Sequence, residues 1–205
     1  MINQIEKKLK SFIGLPPKDG LPKAAVLIAV TDHTQPEIIY TLRSRKLSSH
    51  SGEVSFPGGM SEESDDSLID TALRESEEEV GLKKQDVKII GSLDTMVSRF
   101  NISVTPFVGI ISNEVKLTTT SEEIESLFKV PLTFLLQDDR FRNDPVKRGN
   151  ETFYVPAYKY DSYIIWGLTA LITVNFLNLV FDAGIDLLKP IKPIGGEDDL
   201  WFRKV

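Results

Sequence analysis

The chain has 205 residues, 41% of them hydrophobic, which is enough for one sizeable core and too few for two, so a single domain over 1–205 is expected. A formal charge of −6 and a pI near 5.1 exclude a protein that grips nucleic acid through a broad basic face, so an anionic small-molecule substrate has to be met by a local patch. The absence of cysteine excludes disulfides, thiolate zinc sites and a thiol nucleophile, and agrees with a cytoplasmic location.

Taken in chain order, the first twenty residues lack the apolar stretch of a secretory signal and read as an amphipathic opening helix. Residues 24–31 and 38–43 are aliphatic and β-branched runs separated by a polar turn, which predicts a hairpin; His33 in that turn is a surface residue. From Asp65 to Val80, Leu68, Ile69, Ala72, Leu73 and Val80 recur near a 3.6 period among acids, and Gly81 supplies the stop of a helix. Strands are expected at 87–93, 104–111 and 152–160, a short helix at 122–129 before Pro131, and a last long helix from near Trp166. Tyr163 to Phe181 carries no charged residue and has the length of a membrane span, but Asn175, Asn178 and Asp182 share one stripe. That stripe predicts a buried helix with one wet edge and no membrane contact. Strands interleaved with helices and Gly/Pro turns give a mixed α/β layer structure.

Nine acids lie between residues 61 and 80 with one base, Arg74. Glu75, Glu78 and Glu79 fall at i, i+3 and i+4, so one helical face projects three carboxylates toward a common point, where Mg²⁺ or Mn²⁺ would offset their repulsion. A merely solvated acidic face is the alternative. Directly upstream, Phe56-Pro57-Gly58-Gly59 combines a rigid proline with two permissive glycines, the makings of a sharp turn that a ligand can approach closely.

Together, Gly59, Asp65 or Asp66, Arg74, the three glutamates, Gly81 and Leu82 resemble the Nudix box, here over about 59–82. The spacing from Gly59 to Arg74 is one residue longer than the usual pattern, the intermediate acid is Asp rather than Glu, and Ser76 stands at a usually aliphatic position. The resemblance implies the Nudix fold, α/β (α+β) with a mixed β-sheet sandwiched between helices, and hydrolysis of a diphosphate. In that chemistry Glu75, Glu78 and Glu79 are the metal ligands and Arg74 fixes a glutamate rotamer.

The segment before the box, over about 42–59, is similar to the signature of the coenzyme A diphosphatase branch of that family. Arg43, Ser44, Leu47, His50, Gly52, Phe56, Pro57, Gly58 and Gly59 carry the match, and Ser48 stands where the branch often has a base. Arg43, Arg45, Lys46 and His50 make a cationic patch in an acidic protein, suited to a ligand with a diphosphate and a 3′-phosphate. The substrate-binding set is thus Arg43, Ser44, Arg45, His50, Phe56, Gly58 and Gly59. Glu123 begins a stretch that ends in Pro131-Leu132 as in the family, which makes it a candidate base beside Glu78. Trp166-Gly167-Leu168-Thr169-Ala170 matches the family's opening of the last helix, with Thr169 as a possible cap. The expectation is metal-dependent cleavage of coenzyme A or a derivative. The alternatives are another nucleoside diphosphate derivative and a non-catalytic nucleotide-binding module. A monomer and a homodimer are both open, and the closing Lys204-Val205 is no peroxisomal address.

Overall fold

Strand β1 (Lys23–Asp32) is the spine of the molecule because its alternate residues feed two cores. Ala25, Leu27 and Ala29 face one apolar cluster, and Ile28 and Val30 face the other. β7 (Ser103–Ser112) runs parallel to β1 along its whole length, from Lys23↔Ser103 to Asp32↔Ser112, buried on both faces as a central parallel strand must be. Around this pair, β2 (Glu37–Arg43), β3 (Val54–Ser55) and β5 (Val87–Ser92) complete the order β3-β2-β1-β7-β5. Short β4 (Gly58–Met60) pairs antiparallel with β1, and β6 (Met96–Val97) with the start of β7. This computed structural model describes residues 1–47, 50–149 and 151–189; Ser48 and the closing Lys204-Val205 lie outside the described residues.

α2 (Leu68–Val80) covers one face of the sheet through Ala72, Leu73 and Val80. α1 (Ile2–Lys10) and α4 (Gly167–Phe181) cover the other, through Ile5 and Leu9 and through Ala170, Ile172, Val174, Phe176, Leu177 and Val180. The mixed sheet therefore lies between helices, as expected. α4 has 15 residues, and among the described residues no helix is long and apolar enough to cross a membrane. Its wet edge is narrower than the sequence suggests, because the Asn178 amide exchanges two hydrogen bonds with the backbone of Ile185.

Three expectations are corrected. Residues 124–131 form no helix but strand β8 (Ile124–Pro131), antiparallel to β2 from Glu37↔Pro131 to Arg43↔Ile124. β2 is consequently not an edge, and the basic residues that follow it lie beside the start of β8. α2 begins at Leu68 rather than Asp65, because the Asp65 carboxylate accepts from the Glu62 N–H and so holds residues 62–65 in a turn. Thr169 does not cap α4: its hydroxyl donates to the Val54 carbonyl at 2.9 Å and ties the helix to β3. Beyond these, β9 (Arg140–Arg148), β10 (Glu151–Tyr160) and β11 (Tyr163–Ile165) form a separate three-stranded sheet, of which the sequence suggested only the middle strand.

Candidate active site

Local chemistry fixes α2 at both ends. Ser67 is its N-cap, accepting from Asp70 N–H while its own hydroxyl donates to the Asp70 carboxylate. Gly81 takes the left-handed conformation at the other end, with φ 69°, and Gly81 and Leu82 N–H groups close onto Glu77 and Ser76 carbonyls. Ser76, unusual for the family pattern, is buried and spends its hydroxyl on the Ala72 carbonyl. The helix thus delivers its carboxylates against β4. There, Gly58 adopts φ 147° and a Cβ would strike the Ala25 carbonyl, while a Cβ on Gly59 would strike the Glu75 carboxylate. Both glycines let backbone, rather than side chain, fill the space between β1 and the glutamates.

Arg74 organises the outer half of the site. Its Nε and Nη2 donate to Asp65 at 2.9 and 3.1 Å, its Nη1 to Glu75 at 3.1 Å and to Glu78 at 3.3 Å, and Nη2 also to the Met60 carbonyl. Asp65, not Asp66, is therefore the acid that Arg74 holds, and the guanidinium keeps its carboxyl well below the usual carboxylate range. The expected contact with helix glutamates is present, but Asp65 is the main partner.

Glu79 organises the inner half. It is 4% exposed, accepts from Gly58 N–H at 3.1 Å, and faces Arg43 Nη1 at 3.5 Å; Arg43 Nη2 donates to Glu123 at 3.1 Å. Burial pushes the Glu79 carboxyl up to about 7, against the Gly58 N–H and Arg43, and Glu75 and Glu123 push it further. Glu75 is raised mainly by burial and also by Glu78 and Glu123, although Arg74 opposes this. The carboxylates remain short of positive charge despite two arginines.

The three glutamates do not meet at one point, as their spacing had suggested. Among the described residues no three His, Cys, Asp or Glu side chains are gathered closely enough to hold a metal ion, because Glu75 and Glu78 turn to Arg74 and Glu79 turns to Gly58 and Arg43. The donor set nevertheless fits a hard divalent cation: all oxygen, on one helix, with Glu75 and Glu79 destabilised as anions, chiefly by burial. A shallow cavity of about 510 Å³ on the outer flank of α2, lined by Asp65, Asp70, Arg74, Glu78 and Lys84, adjoins the outer half of the site and does not reach Arg43, Gly58 or Glu79.

The raised Glu79 pKa has a thermodynamic consequence. A carboxyl titrating near 7 when folded and near 4.5 when unfolded favours the folded state in its protonated form, so this contribution is complete below pH 4.5 and is lost as pH rises through 7. Glu79→Gln, which keeps an acceptor for Gly58 N–H, is expected to stabilise the metal-free protein at pH 8 by up to about 3 kcal/mol and to change little at pH 4. Urea denaturation at the two pH values, with chelator present, measures the difference; equal effects at both would refute the assignment.

The leader loop leaves β2 at Arg43. The Ser44 N–H donates to the Glu123 carbonyl at 2.7 Å, and its hydroxyl accepts from Lys46 N–H, so buried Ser44 shapes the loop. Arg45 points to solvent near Glu125, and His50 Nδ1 meets the Glu53 carboxylate at 2.6 Å. Phe56 does not face a ligand: it is buried and stacked on Tyr40 at 4.8 Å, on the side of the sheet covered by α4, where it anchors the following turn. Glu123 stands in the turn before β8, within reach of Arg43 and Glu79. The sequence gives no hint of Glu53, whose importance appears only when its partners are seen.

Known proteins resemble this chain over most of its length. The family model described as NUDIX domain matches residues 21–148. An uncharacterized Nudix hydrolase, NudL, of Yersinia enterocolitica is 40% identical over 149 residues, covering 73% of this chain and 76% of its own. The NudL protein of Photorhabdus laumondii is 39% identical over 160 residues, covering 77% and 86%. Among solved structures, a MutT/nudix family protein from Enterococcus faecalis superposes with a TM-score of 0.52 at 14% identity, over 83% of this chain and 66% of that one, a likeness of fold.

Proposed function

This chain belongs to the Nudix domain family, and on that premise we propose that it hydrolyses the diphosphate of coenzyme A or an acylated or oxidised form of it. The products are adenosine 3′,5′-bisphosphate and 4′-phosphopantetheine or its acyl form. The observation that carries the substrate is the position of Arg43. It is the first base of the coenzyme A-type leader, and its guanidinium bridges Glu79 of the box and Glu123. Its Nε–H is buried with no partner among the described residues, so the leader enters the acid cluster with a donor still open.

In this reading Glu75, Glu78 and Glu79 would hold Mg²⁺ or Mn²⁺, which would supply neutralisation of the diphosphate oxygens and a lowered pKa for the attacking water. Glu78 or Glu123 accepts the proton of that water, and Arg74 holds Asp65 and the helix glutamates in place. Arg43, Arg45, Lys46 and His50 bind phosphate oxygens, and Gly58 and Gly59 let the diphosphate approach the backbone. A location in the cytoplasm, where coenzyme A is abundant, belongs to the same proposal. Another nucleoside diphosphate derivative would be served by the box without the leader. A non-catalytic binding module would have no use for three crowded carboxylates, two of them destabilised by burial.

The variants His50→Ala and Arg43→Ala separate these readings. His50→Ala is expected to raise KM for coenzyme A about tenfold with kcat little changed, and Arg43→Ala to lower kcat/KM about a hundredfold, because it also releases Glu79. Steady-state kinetics on coenzyme A and on a nucleotide sugar checks this. Unchanged constants for coenzyme A in both variants would sink the substrate assignment and leave the hydrolase intact.

A further inference from the structure

At the same end of the sheet as the leader, the connection between β6 and β7 makes a tight turn over Ser98–Ile102. Asn101 takes φ 58°, the Ser98 and Ile102 backbones bond at 2.9 Å, and the Ser98 hydroxyl accepts from both Phe100 and Ile102 N–H groups. Such bracing fixes the backbone that carries Arg99 and Phe100. Arg99 and Phe100 stand out from it at 59% and 51% exposure, with the guanidinium 4.8 Å above the ring. Arg99 Nη2 donates to Glu53 at 3.2 Å, and Glu53 in turn holds His50 at 2.6 Å, while the His50 ring meets the Phe100 ring edge-on at 5.0 Å. His50 itself sits in the left-handed region at φ 55°, a conformation that costs a side chain strain and is kept because its neighbours demand it.

We propose that Arg99 and Phe100, with His50 and Glu53, form a subsite for a purine base carrying a phosphate monoester. Arg99 and His50 take the phosphate and the Phe100 ring carries the base. The placement follows from strand register: β2 and β3 pair Thr41↔Ser55 and Leu42↔Val54, and the Arg43 N–H continues the ladder to the Glu53 carbonyl at 3.0 Å. Arg43 and Glu53 therefore stand opposite one another with side chains on one face, the face on which Arg43 meets Glu79. The new cluster begins one ladder step from the carboxylates. Glu53 is an acid at an anion site, but it lies between the Arg99 guanidinium and the His50 ring and serves as the strut that aims them. The remaining guanidinium donors of Arg99 form the fork that suits a phosphate, and a half-exposed aromatic ring beside a cation is a platform for a base.

This subsite rests on the coenzyme A reading, in which it receives the 3′-phosphoadenosine end, but binding of that end is measurable without turnover. Calorimetric titration of the full chain with adenosine 3′,5′-bisphosphate and with adenosine 5′-monophosphate is the test. The wild-type protein is expected to bind the bisphosphate about tenfold more tightly, the ratio one charge-assisted hydrogen bond supplies. Arg99→Ala is expected to remove most of that preference and leave the share that His50 supplies, Arg99→Lys to recover part of it, and Phe100→Ala to weaken both ligands by a similar factor. Arg99 is exposed, so its loss leaves the fold standing, which thermal melting verifies. Equal affinities in the wild type, or a preference undiminished by Arg99→Ala, would overturn the subsite. A bisphosphate preference without cleavage of coenzyme A would instead remove the reaction and keep the subsite.

Discussion

Glu78→Gln is expected to fold as the parent does and to lose about a thousandfold in kcat on the diphosphate substrate. The two halves of this expectation come from one fact. Glu78 is 58% exposed and, among the described residues, its carboxylate meets only the Arg74 guanidinium, at 3.3 Å, so the fold gains little from it. A surface pair of this kind contributes at most about 0.5 kcal/mol. Its backbone is pinned independently, since the Thr120 hydroxyl donates to the Glu78 carbonyl and Thr120 N–H to that of Glu79. A charge held in the open, at a position the helix and its cap fix, is available to the proposed reaction. Thermal melting and single-turnover kinetics on the same preparation give both numbers, and near-normal turnover would take α2 out of the chemistry.

Arg74→Met is expected to cost both stability and activity. The Asp65 side chain is 5% exposed and depends on Arg74 through two hydrogen bonds, with further help from Thr71 and the Glu62 N–H. Removing the guanidinium strands that carboxylate and leaves Glu75 and Glu78 facing each other uncompensated. Partial access to water moderates the penalty of a broken buried pair to about 2 kcal/mol, or roughly 6 °C in Tm for a chain of this size. Turnover is expected to fall about a hundredfold, because Glu75 loses the partner that holds its rotamer. Added Mg²⁺ then restores more stability to the variant than to the parent, which differential scanning fluorimetry with and without chelator detects. A variant as stable as its parent would show that Asp65 does not rely on Arg74.

Local signals made α2 and its turn legible. Gly81, the apolar period and the glycine pair each act within a few residues, and the structure places them where the sequence implied, while the Ser67 cap that sets the true start of the helix went unread. β8 was misread for the opposite reason. Its alternation is weak, and what makes Ile124–Pro131 a strand is the pairing with β2 more than eighty residues earlier. β9 escaped notice because Pro145 argues against a strand, yet β9 is the edge of its sheet, where a missing N–H is tolerated. Within the site, motif positions identified Arg43, Glu75, Glu78, Glu79 and Glu123, and the structure brings Arg43, Glu79 and Glu123 together. Direction was not legible: Glu79 turns inward and Glu78 outward although both are helix glutamates, because only Glu79 reaches Gly58 N–H. Asp65 and Asp66 are told apart by a turn, and Arg99 and Phe100 by a contact with a loop some fifty residues away.

The most direct test is to incubate the protein with coenzyme A in the presence of Mg²⁺ or Mn²⁺, and separately with chelator, and to resolve the products by mass. Metal-dependent appearance of adenosine 3′,5′-bisphosphate together with 4′-phosphopantetheine is the predicted result. An intact substrate in the presence of either metal, with the protein folded, would contradict it.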